Sequence, residues 1–373
     1  MQTPQKHDTI FILKRILPAL VLSRLIIFGL AWLSPMIVSG GPFKSGLRPF
    51  PLNLACWDTG WFVRIAEEGY ASGTVGFFPL YPMLIRIGGW LVGNIETAGF
   101  IISNIALVGV CVALWKLITN VIKNEQAAEI ADIAVALFLF GSVNFFYSIV
   151  YTESAFLLFA LMCINNARGN RWWRAGLFGL LAALTRNVGI FLIVPMLIEY
   201  FSISLCRPFF KKDTSVLKAI PCLLPALGIF LWCMYHWARF GDPLLFFKAQ
   251  SAWGRVLSWP WVPFTNTQLD RWDLFYKYWF IGHVIAAVGI FVYSCIKRIP
   301  LSLVIFAAMC ILFNCSAQHL EAIPRLLSAI FPLYIGGAIL LHRHRRWEIP
   351  AIACSAGLLA LSVILFSNGY WFT

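Results

Sequence analysis

A few short stretches of this 373-residue chain concentrate the groups able to do chemistry. The first is Cys56-Trp57-Asp58-Thr59-Gly60-Trp61, in which a carboxylate stands between two tryptophans. Aromatic walls exclude water and raise the value of Asp58 as a base or electrostatic anchor. The same position suits a helix N-cap, with Trp57 and Trp61 as interfacial anchors. In Tyr151-Thr152-Glu153-Ser154, Glu153 can cap the following helix or serve as a second carboxylate in a site. Thr185-Arg186-Asn187 interrupts an apolar stretch, and Arg24 sits in apolar surroundings too. An arginine at membrane depth is costly, so each points to function unless it snorkels or pairs with internal carbonyls. Gly241-Asp242-Pro243 is a turn signal, followed by Lys248, Gln250 and Arg255 among aromatics. Those cations suit lipid phosphates, whether as headgroup anchors or within a site. In Ser316–Arg325, His319 and Glu321 lack an HExxH pattern or a second histidine cluster, so no metal is indicated. Arg325 is the better candidate there for holding an anion.

The elements that carry these residues follow from composition. Hydrophobic residues make up 60% and charged residues 12%. A soluble fold of this size needs roughly twice that charged share to cover its surface. An ordinary soluble enzyme is therefore excluded, and so is a disordered chain, which would be poor in apolar residues. The net charge of +13 is dispersed in short clusters between apolar spans rather than gathered into a nucleic-acid-binding face. The ten cysteines form no CxxC pair and lie mostly in apolar spans, so they read as small buried hydrophobes and imply no disulfide framework. Lys14 and Arg15 precede an apolar run, Ile16 to Trp32, that is long enough to span and lacks a clear cleavage site. It reads as a retained first helix.

Spans of about 20 apolar residues are expected near 12–34, 97–118, 129–149, 152–168, 219–238, 275–296, 300–315, 324–341 and 348–367. No acidic residue is expected within them. Basic residues flank 175–200 on both sides, so this stretch reads as a hairpin of two short helices with Arg186 near its tip. With the N-terminus inside, 17 of the 29 Lys and Arg fall on inner segments and 10 on outer ones, as the positive-inside rule requires. The outer face then receives a loop at about 35–96, a second at about 239–274, and the Ser316–Ile323 turn. The expectation is an all-α polytopic membrane protein forming one domain over 1–373, with chemistry on its outward loops. Phe77-Phe78-Pro79-Leu80-Tyr81-Pro82 makes a stiff interfacial helix entry able to line a groove for a lipid tail.

Taken together, the Trp-Asp loop, Phe-Phe-Pro-x-Tyr-Pro, Tyr-Thr-Glu-Ser, Leu-Thr-Arg-Asn and Gly-Asp-Pro-x-x-Phe-x-x-Ala-Gln resemble the PIG-V-type mannosyltransferases over about residues 10–335. One departure is Asn187, where prokaryotic relatives often carry proline; it bears on the hairpin geometry. The resemblance implies a GT-C fold, a multi-helix bundle whose first outer loop holds the catalytic carboxylate. It implies a polyprenyl-phosphate hexose donor, mannose, used on the outer side of the cell membrane, with Asp58 as base. It makes Glu153 and Gln250 site candidates and Arg186, Arg255 and Arg325 phosphate contacts, with Trp57 and Trp61 beside the substrate. Membrane lipids and a glycan, lipid or protein acceptor complete the expected partners; no cofactor, metal or nucleic acid is called for. The competing classes are a transporter or lipid flippase, for which the Arg186 hairpin would be a broken helix at the site, and a non-catalytic assembly scaffold, which would tolerate loss of Asp58.

The orientation is directly testable. In a background without native cysteines, Cys substituted at Lys211 should be labelled from the cytoplasm and Cys at Lys248 from outside. Labelling of both from one side would eliminate the hairpin.

Overall fold

The computed structural model describes residues 8–38, 50–205, 216–265 and 274–372. Arg207, Lys211 and Lys212, on which the expected hairpin orientation partly rests, lie outside the described residues, as does part of each stretch expected as a long outer loop, 35–96 and 239–274. Thr9–Ile37 (α1) is the long first helix. The first outer stretch folds as Asp58–Glu68 (α2) and Leu80–Val92 (α3), and leads into Ile95–Val121 (α4). Ala127–Leu139 (α5), Glu153–Arg168 (α6), Trp172–Thr185 (α7), Ile193–Leu205 (α8) and Leu224–Phe240 (α9) follow. The second outer stretch holds two single turns, Leu245–Lys248 (α10) and Val262–Thr265 (α11). Leu274–Ile296 (α12), Leu301–Cys315 (α13), Ile323–Ser328 (α14), Pro332–Arg343 (α15) and Glu348–Ser367 (α16) complete the bundle. The described residues form no strand; Leu257 and Ala317 make one isolated bridge that ties the second outer stretch to the turn before α14.

Among the described residues, five stretches are long and apolar enough to cross a membrane: α1, α4, Leu217–Phe240, Phe275–Ile296 and Arg345–Ser367. The nine expected crossings are therefore not nine long helices. The run 129–149 stops being α-helical at Leu139 because the Asn144 amide donates to the Phe138 carbonyl and captures the helix end. The run 324–341 breaks between α14 and α15, where Pro332 has no N–H to continue a ladder. Tyr334 Oη donates to the Ser328 carbonyl at 2.8 Å and holds that break. Non-helical backbone survives at membrane depth only when protein or a water-filled cavity satisfies it. Both interruptions meet that condition through side-chain hydrogen bonds.

Helices α3, α5 and α6 pack around α4, α7 sits between α6 and α9, and α1 lies against α16. Close approach is built in: a Cβ on Gly99 would fall 2.5 Å from Val150 Cγ1. Contrary to expectation, acidic residues do lie inside the expected spans, Asp132 within 129–149 among them, and Glu199 lies within α8. Asp132 on α5 accepts from Arg15 Nε at 2.9 Å and from Trp115 Nε1 at 2.9 Å. Glu199 on α8 accepts from Arg168 at 2.5 Å and from Ser302 at 2.5 Å. Each carboxylate has an arginine partner, as burial in low dielectric demands.

Helix α7 ends at Thr185, Arg186 is extended, and a 3₁₀ turn, Asn187–Leu192, leads into α8. Arg186 thus sits at the junction of two short helices. Gly189 packs onto the last turn of α7 so tightly that a Cβ would meet Ala183 N at 2.4 Å and Ala182 C at 2.6 Å. Gly189→Ala must push the 3₁₀ turn off α7, and overpacking of this kind costs about 1–3 kcal/mol. Thermal unfolding in detergent should show a lowered midpoint; an unchanged one would mean the turn is not held there.

Candidate active site

Asp58 opens α2, and the preceding Trp57 has φ 55°, a left-handed conformation uncommon for a bulky side chain. The 149–153 segment grips this corner. Asp58 N–H donates to Tyr151 Oη at 3.1 Å, Tyr151 Oη donates to the Cys56 carbonyl at 3.2 Å, and Thr59 Oγ1 donates to the Val150 carbonyl at 3.4 Å. Glu153 opens α6, and its acid in the first turn complements the helix dipole. It makes no cap hydrogen bond, the cap position being Thr152, and it lines a cavity.

The cavity, about 410 Å³, is lined by Asp58, Tyr151, Thr152, Glu153, Arg186, Gln250, Arg255 and Arg325, with Phe77, His319 and Trp371 among the rest. Arg325 joins the two carboxylates: its Nη1 lies 2.8 Å from Asp58 Oδ2 and its Nε 3.6 Å from Glu153 Oε1. Its guanidinium stands over the rings of Phe146 and Tyr151, 5.2 and 5.3 Å from their centroids. Arg186 Nη1 donates to Glu153 Oε1 at 2.6 Å and lies 3.3 Å from Thr152 Oγ1. Glu153 is 1% exposed, and its Oε2 has no hydrogen-bond partner. Arg255 Nη2 donates to the main-chain carbonyl of Glu321 at 2.8 Å, and Gln250 Nε2 to that of Gly76 at 3.2 Å.

Electrostatics follow from this crowding. Burial, then the charges of Arg325 and Arg186, lower the Arg255 pKa to about 10. The neighbouring guanidiniums act against the Arg255 charge, so an anion beside it would relieve repulsion. Tyr151, pushed up by burial and then by the Asp58 charge, stays a protonated phenol throughout the physiological range.

Six of the eight residues singled out from sequence thus line one cavity. Trp57 and Trp61 are not among its lining residues. Trp57 packs edge-on against Trp371 at 4.8 Å, and Trp61 stacks on Phe77 at 6.2 Å, and both of those partners do line it. Arg24 also stays outside the cavity; on α1 it makes one long contact, 3.4 Å to Ser23 Oγ, while its Nε and Nη1 are buried without a partner. Sequence reasoning quoted Tyr151 and Thr152 without giving them roles. It missed Phe146 and Trp371, ordinary aromatics in apolar context that no local pattern distinguishes.

The PIG-V mannosyltransferase family profile matches residues 33–336. The chain belongs to that family. It is an integral membrane glycosyltransferase, and its architecture is GT-C. Its fold resembles ArnT from Cupriavidus metallidurans, solved with undecaprenyl phosphate, at 13% identity and TM-score 0.52 over 95% of this chain and 76% of that one. It also resembles the Archaeoglobus fulgidus oligosaccharyltransferase solved with a tethered acceptor peptide, at 12% identity and TM-score 0.51 over 96% of this chain. This chain spans 55% of the archaeal enzyme's length. At these identities the likeness shows the fold alone. A comparison with curated proteins finds no match. Membership of an enzyme family decides against the transporter and scaffold readings.

Arg186→Ala would leave Glu153 buried with Arg325 at 3.6 Å as its remaining cation. Breaking a buried pair on one side costs about 3–5 kcal/mol, and the low end applies here. Adding Glu153→Gln should restore much of the lost stability, because the stranded charge goes with it. Chemical denaturation of the single and double variants checks this; equal instability in both would mean that the pair carries no net charge penalty.

Proposed function

We propose that this enzyme transfers mannose, with inversion, from a polyprenyl-phosphate donor to an acceptor hydroxyl on the outer side of the membrane, with Asp58 as general base. The observation that carries the reading is a carboxylate and three arginines around one cavity, one arginine of which touches the carboxylate. Arg325 occupies Asp58 Oδ2 and leaves Oδ1 without a protein partner among the described residues. A base needs an oxygen open to the acceptor, and Oδ1 meets that need.

In the proposed step the acceptor oxygen attacks the anomeric carbon and its proton passes to Asp58. The bond between the anomeric carbon and the phosphate oxygen breaks with its electron pair, and lipid phosphate leaves as a monoester anion. Charge grows on that phosphate as the bond lengthens, so cations fixed beside it stabilise the transition state more than the ground state. Arg325, Arg186 and Arg255 are the groups for this work. The lowering of Arg255 by burial and then by the Arg325 and Arg186 charges supports it, since such a pocket is short of negative charge. Glu153, paired on one oxygen and fully buried, orients the arginines in this scheme rather than taking a proton. The membrane setting and the family support a lipid-linked donor; ArnT, similar in fold, was solved with undecaprenyl phosphate.

Asp58→Asn separates base from cap. Asparagine keeps the shape and capping capacity of aspartate, so stability should stay within about 1 kcal/mol. It cannot take a proton, and losing a general base lowers turnover about 10²–10⁴-fold. Purified protein would be given labelled polyprenyl-phosphate mannose and a host membrane-lipid extract as acceptor source, and turnover scored per folded molecule. Activity above about a tenth of wild type would remove Asp58 as base.

A further inference from the structure

Asp58 is held by a backbone corner that its own segment closes with main-chain bonds, Thr59 N–H to the Cys56 carbonyl at 3.2 Å and Gly60 N–H to the Trp57 carbonyl at 3.1 Å. Trp57 has φ 55° and ψ −115°, and no side chain caps the start of α2. A left-handed conformation at a bulky residue persists only where the surroundings impose it. What imposes it lies 93 residues away in sequence. The Tyr151 hydroxyl reaches across Trp57, donating to the carbonyl of Cys56 before it and accepting from the N–H of Asp58 after it. One phenolic oxygen therefore uses its donor and an acceptor site on the two peptides that flank the strained residue. The ring of the same side chain lies under the Arg325 guanidinium at 5.3 Å, while Arg325 holds the Asp58 carboxylate at 2.8 Å. Tyr151 is 1% exposed, so its own position is set by packing, with Phe62 and Phe146 rings 6.1 and 4.9 Å away.

We propose that Tyr151 is the positioning residue of the reaction, its hydroxyl fixing the Asp58 backbone and its ring fixing the arginine that aims the Asp58 carboxylate. The inference rests on the reading of Asp58 as base. Tyr151 itself takes and gives no proton in the reaction: both hydrogen-bonding roles of its oxygen are spent on main chain. A carboxylate misplaced by about 1 Å loses on the order of 10²-fold in rate. The substrate contacts made by Arg186, Arg255 and Gln250 do not pass through Tyr151.

Tyr151→Phe deletes the hydroxyl and keeps the ring. Using labelled polyprenyl-phosphate mannose as donor, kcat per folded molecule should fall about 10- to 100-fold, with KM for the donor within about two-fold of wild type. Ser302→Ala is the control. It removes another buried hydroxyl, bonded to Glu199 Oε1 at 2.5 Å, from a residue that does not line the cavity. Its turnover should stay near wild type even where its unfolding midpoint drops. In the Asp58→Asn background, adding Tyr151→Phe should lower turnover no further, because a residue acting through Asp58 has nothing left to position. A Tyr151→Phe turnover within two-fold of wild type overturns the inference. So does an equal loss in Ser302→Ala, or a further loss in the double variant. Asp58→Asn alone decides the base reading: its turnover can collapse while Tyr151→Phe stays normal, in which case only the positioning role fails.

Discussion

Glu153 is the constraint around which the site is arranged. A carboxylate almost wholly removed from water cannot remain ionised without cations at contact distance. Arg186 supplies one from the α7–α8 junction and Arg325 a second from α14, so the beginnings of α6 and α14 must meet the end of α7 at one point. Arg325 then reaches on to Asp58, which brings in the start of α2. Four elements dispersed along the chain are thereby fixed by one charge network. The terminations of the helices follow from it. A helix running on through the bilayer would carry its arginine past the carboxylate, whereas α7 and α14 stop where the pairing is made.

Because the helices stop inside the protein, their ends expose polar backbone at depth, and the cavity is the consequence. Lipid cannot satisfy those groups, but side chains and a water-filled recess can. The Asn144 amide on Phe138, Tyr334 on Ser328 and Tyr151 on Cys56 and Asp58 are three instances of one device: a buried polar side chain closing a main-chain break. Each uses a partner remote in sequence or beyond the break. The breaks are therefore stable only in the assembled bundle, and they are properties of the tertiary structure rather than of local propensity.

That distinction explains what the sequence could and could not reveal. The membrane setting, the helical class and the long helices α1, α4, α9, α12 and α16 follow from apolar length, a signal carried by 20 consecutive residues. Asp58, Glu153, Arg186, Gln250, Arg255 and Arg325 were legible because a charged or polar group amid apolar neighbours is expensive and stands out. The sequence could not show that Trp57 and Trp61 pack on Trp371 and Phe77, contacts made only in the folded chain. Nor did apolar length mark the breaks in 129–149 and 324–341, where Asn144 and Tyr334 bond carbonyls across the break. The partners that make Asp132 and Glu199 tolerable, Arg15 and Arg168, lie 117 and 31 residues away and are visible only in the fold.

The same network also sets a division of labour among the charged groups. Glu153 has both carboxylate oxygens buried and one claimed by guanidinium, so its negative charge serves to hold cations in place. Asp58 is 21% exposed at its side chain, touches one arginine, and keeps an oxygen toward the cavity. Two carboxylates of one type thus acquire different capacities from burial alone. Among the arginines, Arg325 is neutralised by carboxylates, while Arg255 meets only a main-chain carbonyl and is depressed by the neighbouring cations. The cavity is therefore most electropositive toward Arg255 and least so at Asp58. An anion seated beside Arg255 would lie in the same cavity that Asp58 lines, so burial and pairing set apart a cation-rich part of the cavity from its open carboxylate.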